Sequence, residues 1–214
     1  SERGQRKRDY PNHYSFHNPW QSHLAQFDEY FNNLGSALTE GKEYAPVLVI
    51  HPIHGAYMKY KKNQGTLGEI EGKFFELSRL LGYNQVSYHY GDENMMKSHA
   101  SVENGKIKVG SCTYDAVIVP FTYTLDKSTA ELIKKLIADG GKVWCFGHPD
   151  CIDGEKADMT WLHDTCTKED IFALRDAVIT LENGQNAPQI RKMTRVTDEG
   201  KLIYITNVTG ETLD

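Results

Sequence analysis

What this 214-residue sequence lacks narrows the possibilities first. No stretch reaches the run of about 18 apolar residues that a membrane-spanning helix needs, so no membrane partner is expected. The N-terminus is polar, with neither an initiator Met nor a signal-peptide pattern. The four cysteines, Cys112, Cys145, Cys151 and Cys166, form no CxxC pair. They permit two disulfides without requiring any, and the redox compartment stays open. There is no excess of positive charge: the net charge is −5, and the one basic block is Arg3-Gly4-Gln5-Arg6-Lys7-Arg8. No basic-aromatic surface follows that block, which argues against nucleic acid as a partner. No internal repeat and no low-complexity tract is present. With 39% hydrophobic and 25% charged residues, the composition is that of a soluble globular protein.

What is present is an alternation of strand and helix patterns from Tyr44 to Pro149. Apolar segments at Ala45–Ile50, Val86–Tyr90, Asp115–Pro120 and Lys142–Gly147 read as four strands. Helical patterns run from Thr66 to Leu81 and from Ser128 to Asp139, closed by Gly82 and by Gly140-Gly141. Such alternation predicts an α/β fold: a three-layer open parallel sheet with right-handed crossovers. A small hairpin is expected around Asn104-Gly105.

Three regions follow along the chain. Residues 1–43 form a lead-in with Tyr10, Tyr14 and Phe16, then a helix opening at Asn18-Pro19. In that helix Trp20, Leu24, Phe27, Phe31, Leu34 and Leu38 make one apolar face, with Trp20 expected in a core. Residues 44–177 hold the α/β domain. In residues 178–214, Val178–Leu181 reads as a linker strand, and Gln189–Val196 and Lys201–Val208 pair as a hairpin across Thr197-Asp198-Glu199-Gly200. A lone hairpin is marginal in water. It should therefore dock on the α/β core or open a truncated β-domain, and the chain reads as a piece of a larger protein.

In open parallel sheets, ligands gather beyond the carboxyl ends of the strands. Those ends carry His51 and His54, Asp92 and Glu93, Tyr123, and His148 and Asp150, which are the ligand-binding candidates. Imidazoles and carboxylates converging there suit acid-base work or a metal. The simpler reading is that they cap strand ends, with Asp92 or Asp150 accepting from backbone amides. The spacing assigns no metal site, and Cys151, His163 and Cys166 match a zinc pattern only loosely. The loop His51-Pro52-Ile53-His54-Gly55 has neither GxGxxG nor GxxxxGK[ST], so no nucleotide cofactor is expected.

Cys145 is a separate matter. Val143-Trp144-Cys145-Phe146-Gly147-His148 resembles the nucleophile elbow of class I glutamine amidotransferases, a Gly-x-Cys-x-Gly turn between strand and helix. The strained backbone of an elbow needs small neighbours, and Val143 stands where the first Gly belongs. The family's His-x-Glu pair is approximated only by Leu162-His163-Asp164. A cysteine-dependent amidotransferase or hydrolase using Cys145 with His148 or His163 is thus one rival to a chain with no catalytic residue, and a sugar- or small-molecule-binding module at the strand ends is the other. A buried strand cysteine acting as a small hydrophobe is the simpler account.

Several segments together resemble a known family. They are Arg3–Pro11, Asn18-Pro19-Trp20, Val47–Ile53, Gly91-Asp92-Glu93, Tyr114–Pro120 and Gly140–Val143. They resemble, over about residues 3 to 150, the segment after the catalytic barrel in large α-L-rhamnosidase-type (family 106-like) glycoside hydrolases. That segment is similar to the β-galactosidase trimerisation domain, a flavodoxin-like, class I glutamine amidotransferase-like module without glutaminase residues. The resemblance implies an accessory domain of an exported, periplasmic or extracellular bacterial enzyme acting on carbohydrate. Its partners would be the barrel and β-sandwich of its parent chain, with homo-oligomer contacts and carbohydrate as further candidates. The catalytic carboxylates would lie outside this sequence, and no cofactor is implied.

Overall fold

The computed structural model describes residues 19–62, 65, 67–210 and 212; the aromatic and basic lead-in lies outside the described residues. A short 3-10 turn at Gln21–His23 leads into α1, Leu24–Thr39, and then β1, Lys42–Glu43. The α/β body follows with β2, Val47–Ile50; α2, Ile53–Lys59; α3, Gly68–Tyr83; β3, Tyr88–Gly91; and α4, Glu93–His99. A meander of β4 (Ala100–Glu103), β5 (Lys106–Val109) and β6 (Cys112–Tyr114) precedes β7, Ala116–Val119.

Next come β8, Thr124–Leu125; α5, Lys127–Ala138; and β9, Lys142–Cys145. The stretch after β9 contains β10, Cys151–Ile152, and β11, Glu155–Lys156, before α6, Lys168–Phe172. The chain closes with β12, Ile190–Thr197, and β13, Gly200–Asn207.

The central sheet has the order β3-β2-β7-β9 with every neighbour parallel. In β2 and β7 every residue is buried, as a strand covered on both faces requires. The two-residue strand period sorts the core into two layers. Leu48, Ile50, Val117 and Val119 pack with Met96 of α4 and Ile133 and Leu136 of α5. Val47, Val49, Ala116 and Ile118 face Leu77 and Leu81 of α3 and Ile171 of α6. This is the expected three-layer α/β fold. The meander seals the first layer with Val102, Ile107 and Tyr114.

The edge of β9 is not left open. Val143 N–H donates to Thr165 Oγ1 (2.7 Å), Thr165 N–H returns a bond to the Val143 carbonyl (2.9 Å), and Cys145 N–H donates to Asp164 Oδ1 (2.6 Å). A loop thus supplies the ladder partners that a bare edge would offer to another chain.

The C-terminal hairpin pairs from Ile190↔Asn207 to Thr197↔Gly200, and β1 adds on the other side of β12 through Lys42↔Val196. It docks on the α/β body. The Lys192 ammonium, in β12, pairs with Asp176 and also donates to the Ala177 carbonyl; the two side chains are 1% and 2% exposed. The expected linker strand is reduced to one bridge, Thr180↔Asn186. That segment is held instead by the buried Gln85 amide, which donates to the Ile179 carbonyl (2.8 Å) and accepts from Ile179 N–H (2.9 Å).

Helix α1 contributes no buried residue to either core layer. Its apolar spacing is real, but no residue in it is buried. Phe27, Tyr30 and Phe31 are 52%, 59% and 50% exposed, and they contact one another rather than a core. Periodicity specifies that a helix has an apolar face; it does not specify what covers that face. Its C-terminus is tied down by Arg195, whose guanidinium donates to the carbonyls of Thr39, Glu40 and Gly41 at 3.1, 2.7 and 3.0 Å. A cation on the last carbonyls of a helix meets both their unused acceptors and the negative end of the helix dipole.

Candidate functional site

The strand order places a topological switch point between β2 and β7, because the chain steps from β2 to β3 on one side and then to β7 on the other. Loops after β2, β3 and β7 converge there. The chain folds tightly at this rim because glycine permits close approach. A Cβ on Gly55 would lie 2.2 Å from Thr122 Oγ1, and one on Gly147 would lie 2.4 Å from Phe121 Cα. These contacts fix the loops after β2, β7 and β9 against one another.

Three side chains meet at the rim. His54 in α2, Glu93 at the start of α4 and Asp126 before α5 offer ligand atoms that all lie within 4.8 Å of one another. His54 Nδ1 is 2.8 Å from Asp126 Oδ1 and 3.8 Å from Glu93 Oε1. Asn94 Nδ2 stands 3.4 Å from His54 Nε2, which assigns the acceptor role to Nε2 and the proton to Nδ1, donated to Asp126. Glu93 is 1% exposed, and its Oε2 accepts from Asp126 N–H at 2.7 Å. Burial pushes the Glu93 carboxyl above the ordinary carboxylate range, against the opposing pull of the Asp126 amide and of His54.

The sequence-derived candidates divide around this cluster. His54 and Glu93 belong to it. Asp92 sits beside it as the N-cap of α4, accepting from Met95 N–H at 3.0 Å. His51 is packed edge-on against Phe74, with ring centroids 5.7 Å apart. Tyr123 donates to Glu69 Oε2 at 2.6 Å under the Lys59 ammonium, and that bond raises its pKa. His148 is exposed. Asp150 is exposed too; its bonds to Lys156, then to Cys151, lower its pKa.

Asp126 escaped the sequence reading. The signal was an Asp directly before Lys127-Ser128-Thr129, the N-cap position of a helix. Its side chain makes no cap bond there, because the carboxylate turns to His54 instead.

Around Cys145 the geometry differs from a nucleophile elbow. The thiol is buried, and burial together with the nearby Asp164 carboxylate pushes its pKa up to about 12. Cys166 is likewise raised, to about 11, mainly by burial. A reactive thiolate needs the opposite surroundings, cationic and exposed. Among the described residues neither His148 nor His163 hydrogen-bonds to Cys145: His163 Nδ1 is engaged with the Trp161 carbonyl at 2.9 Å, and Asp164 with the Cys145 amide. All four cysteines are free thiols.

No protein-family model matches the chain, and no curated protein matches it in sequence. Among solved structures, the chain is similar to the crystal structure of an apo exo-carrageenase of family GH42 from Bacteroides ovatus, with a TM-score of 0.46 and 14% sequence identity. The alignment covers 76% of this chain and 23% of that one, so the chain spans under a quarter of that protein's length.

Proposed function

We propose that this chain acts as a non-catalytic accessory domain of a multidomain glycoside hydrolase, packed between a catalytic barrel and a β-sandwich. The observation that carries this reading is α1, an amphipathic helix whose aromatic face covers nothing within the described residues. An apolar face left open in this way marks a surface made for a partner. Ile203, Ile205 and Val208, exposed on and just after the outer strand of the hairpin, offer a second such surface. The raised pKa of Cys145 and the engagement of His163 and Asp164 elsewhere support a domain without thiol chemistry. The rhamnosidase-type segments described above supply the class of the parent, and with it a periplasmic or extracellular location. Contacts between copies of the chain, and carbohydrate held at the domain's rim, belong to the same reading.

The test is a pair of surface substitutions, Phe27→Ser with Phe31→Ser. If the face is a docking surface, the variant keeps the unfolding midpoint of the parent protein and binds less of a hydrophobic fluorescent dye. A loss of several kcal/mol would mean that these rings belong to the core, as a buried Phe truncation costs about 3–5 kcal/mol. Turnover of an aryl α-L-rhamnoside by the chain alone would overturn the non-catalytic assignment.

A further inference from the structure

The cluster at the switch point has a chemistry that docking does not require. Three separate segments beyond the strand ends deliver one imidazole and two carboxylates to one spot, with mutual separations of 4.8 Å or less. Two of the closest approaches, 2.8 and 3.8 Å, bracket the spacing of neighbouring ligands around a metal bound at about 2.0–2.2 Å. A neutral imidazole and two carboxylates carry a charge that one divalent cation would cancel. One nitrogen with two oxygens suits zinc or manganese; calcium takes 6–8 oxygen ligands.

Two further observations point the same way. Asp126 occupies a helix N-cap yet leaves the cap bond unmade to face His54. Thr129, on the first turn of the same helix, is wholly buried, and its hydroxyl makes no hydrogen bond of full geometry to any described group. A buried hydroxyl so poorly paired is costly unless something else completes the group. Solvent reaches the cluster, since the His54 and Asp126 side chains are each 23% exposed. Asp126 also lines an open depression of about 340 Å³. Lys97 and Lys127 on its wall are offset by Glu131 and Asp153.

We propose that His54 Nδ1, Glu93 Oε1 and Asp126 Oδ1 form a binding site for one divalent transition cation of the zinc or manganese class. Binding moves the imidazole proton from Nδ1 to Nε2, where the Asn94 amide, turned over, accepts it through its oxygen. No net proton is gained or lost at the ring, and the second nitrogen gains the outer partner that metal-bound histidines ordinarily have. The site stands apart from the docking reading, and either can fail without the other.

The experiment is calorimetric titration of the chain with ZnCl2 and, separately, MnCl2, in a Cys112→Ser background that removes the exposed thiol. One equivalent should bind saturably to the parent protein, and His54→Ala or Asp126→Asn should weaken that binding by 10-fold or more. Substitution with Co2+ should give a visible spectrum without a thiolate-to-cobalt charge-transfer band. Asp126→Asn and Glu93→Gln are near-isosteric, and unchanged circular dichroism shows that they fold. Absent saturable binding by the parent protein, or affinity unmoved by His54→Ala and Asp126→Asn, overturns the site.

Discussion

Replacing Lys192 with Met tests how the hairpin is held to the body. Lys192 and Asp176 are 1% and 2% exposed, and the ammonium also serves the Ala177 carbonyl. Burial, the largest single influence, would raise the Asp176 pKa, but the hydrogen bonds from Lys192, Thr194 and the Ala177 amide together with the Lys192 charge outweigh it, and the net shift is downward. Lys192→Met therefore strands a buried carboxylate, and breaking one partner of such a pair costs about 3–5 kcal/mol. That is a large share of the 5–15 kcal/mol that typically holds a domain together. The double variant Lys192→Met/Asp176→Leu removes both charges and should recover most of the loss.

A urea-denaturation cycle over the four proteins reads the coupling. A single-variant cost under 1 kcal/mol would refute the reasoning, since it would mean that water reaches the pair. The pair also sets a pH window. Because the folded Asp176 pKa is lowered, its contribution is present above the unfolded value of about 3.9 and is lost as pH falls through the folded value. Acid should loosen the hairpin in the parent protein, and the double variant should lack this step.

Three other outcomes follow from particular contacts. Cys145 should alkylate far more slowly than the exposed Cys112 near neutral pH, read by peptide mass spectrometry; fast labelling of Cys145 would revive the amidotransferase alternative. Gly147→Ala should cost about 1–3 kcal/mol in thermal or urea unfolding, because its Cβ would lie 2.4 Å from backbone at Phe121; a neutral result would mean that the two loops separate freely. Arg195→Ala should speed hydrogen exchange in α1 while leaving the amides of β2 and β7 unchanged, since Arg195 holds the C-terminal carbonyls of that helix.

The parallel core was legible because its strands are short apolar runs between strongly periodic helices, so both spacing and composition pointed one way. Val47–Ile50 and Ala116–Val119 fall inside the predicted segments. The hairpin was legible for the same reason, with a turn of four polar or glycine residues between alternating strands. What was missed depended on partners far away in sequence. Cys112–Tyr114 became a third meander strand only by pairing with Lys106–Val109, and Cys151–Ile152 a strand only beside Thr124–Leu125. His54 and Glu93 were visible as polar residues at strand ends. Asp126 was not, because β8 separates it from the end of β7 and carries it back to the rim. The outward aromatic face of α1 was beyond periodicity altogether.

The small sheet that joins β1 to the hairpin has a kinetic consequence. Its two-residue first strand gains a partner only when Val196 and Arg195 arrive, roughly 150 residues later. Closing a loop of that length costs about 4 kcal/mol of chain entropy before any contact offsets it. The parallel core needs none of those later residues, so it can condense first during synthesis. The hairpin can fold locally but gains its seat only after that core exists. Arg195, which secures α1, comes with it. Among the described elements, the first helix made is therefore one of the last to be anchored, and its aromatic face stays unsecured throughout that interval.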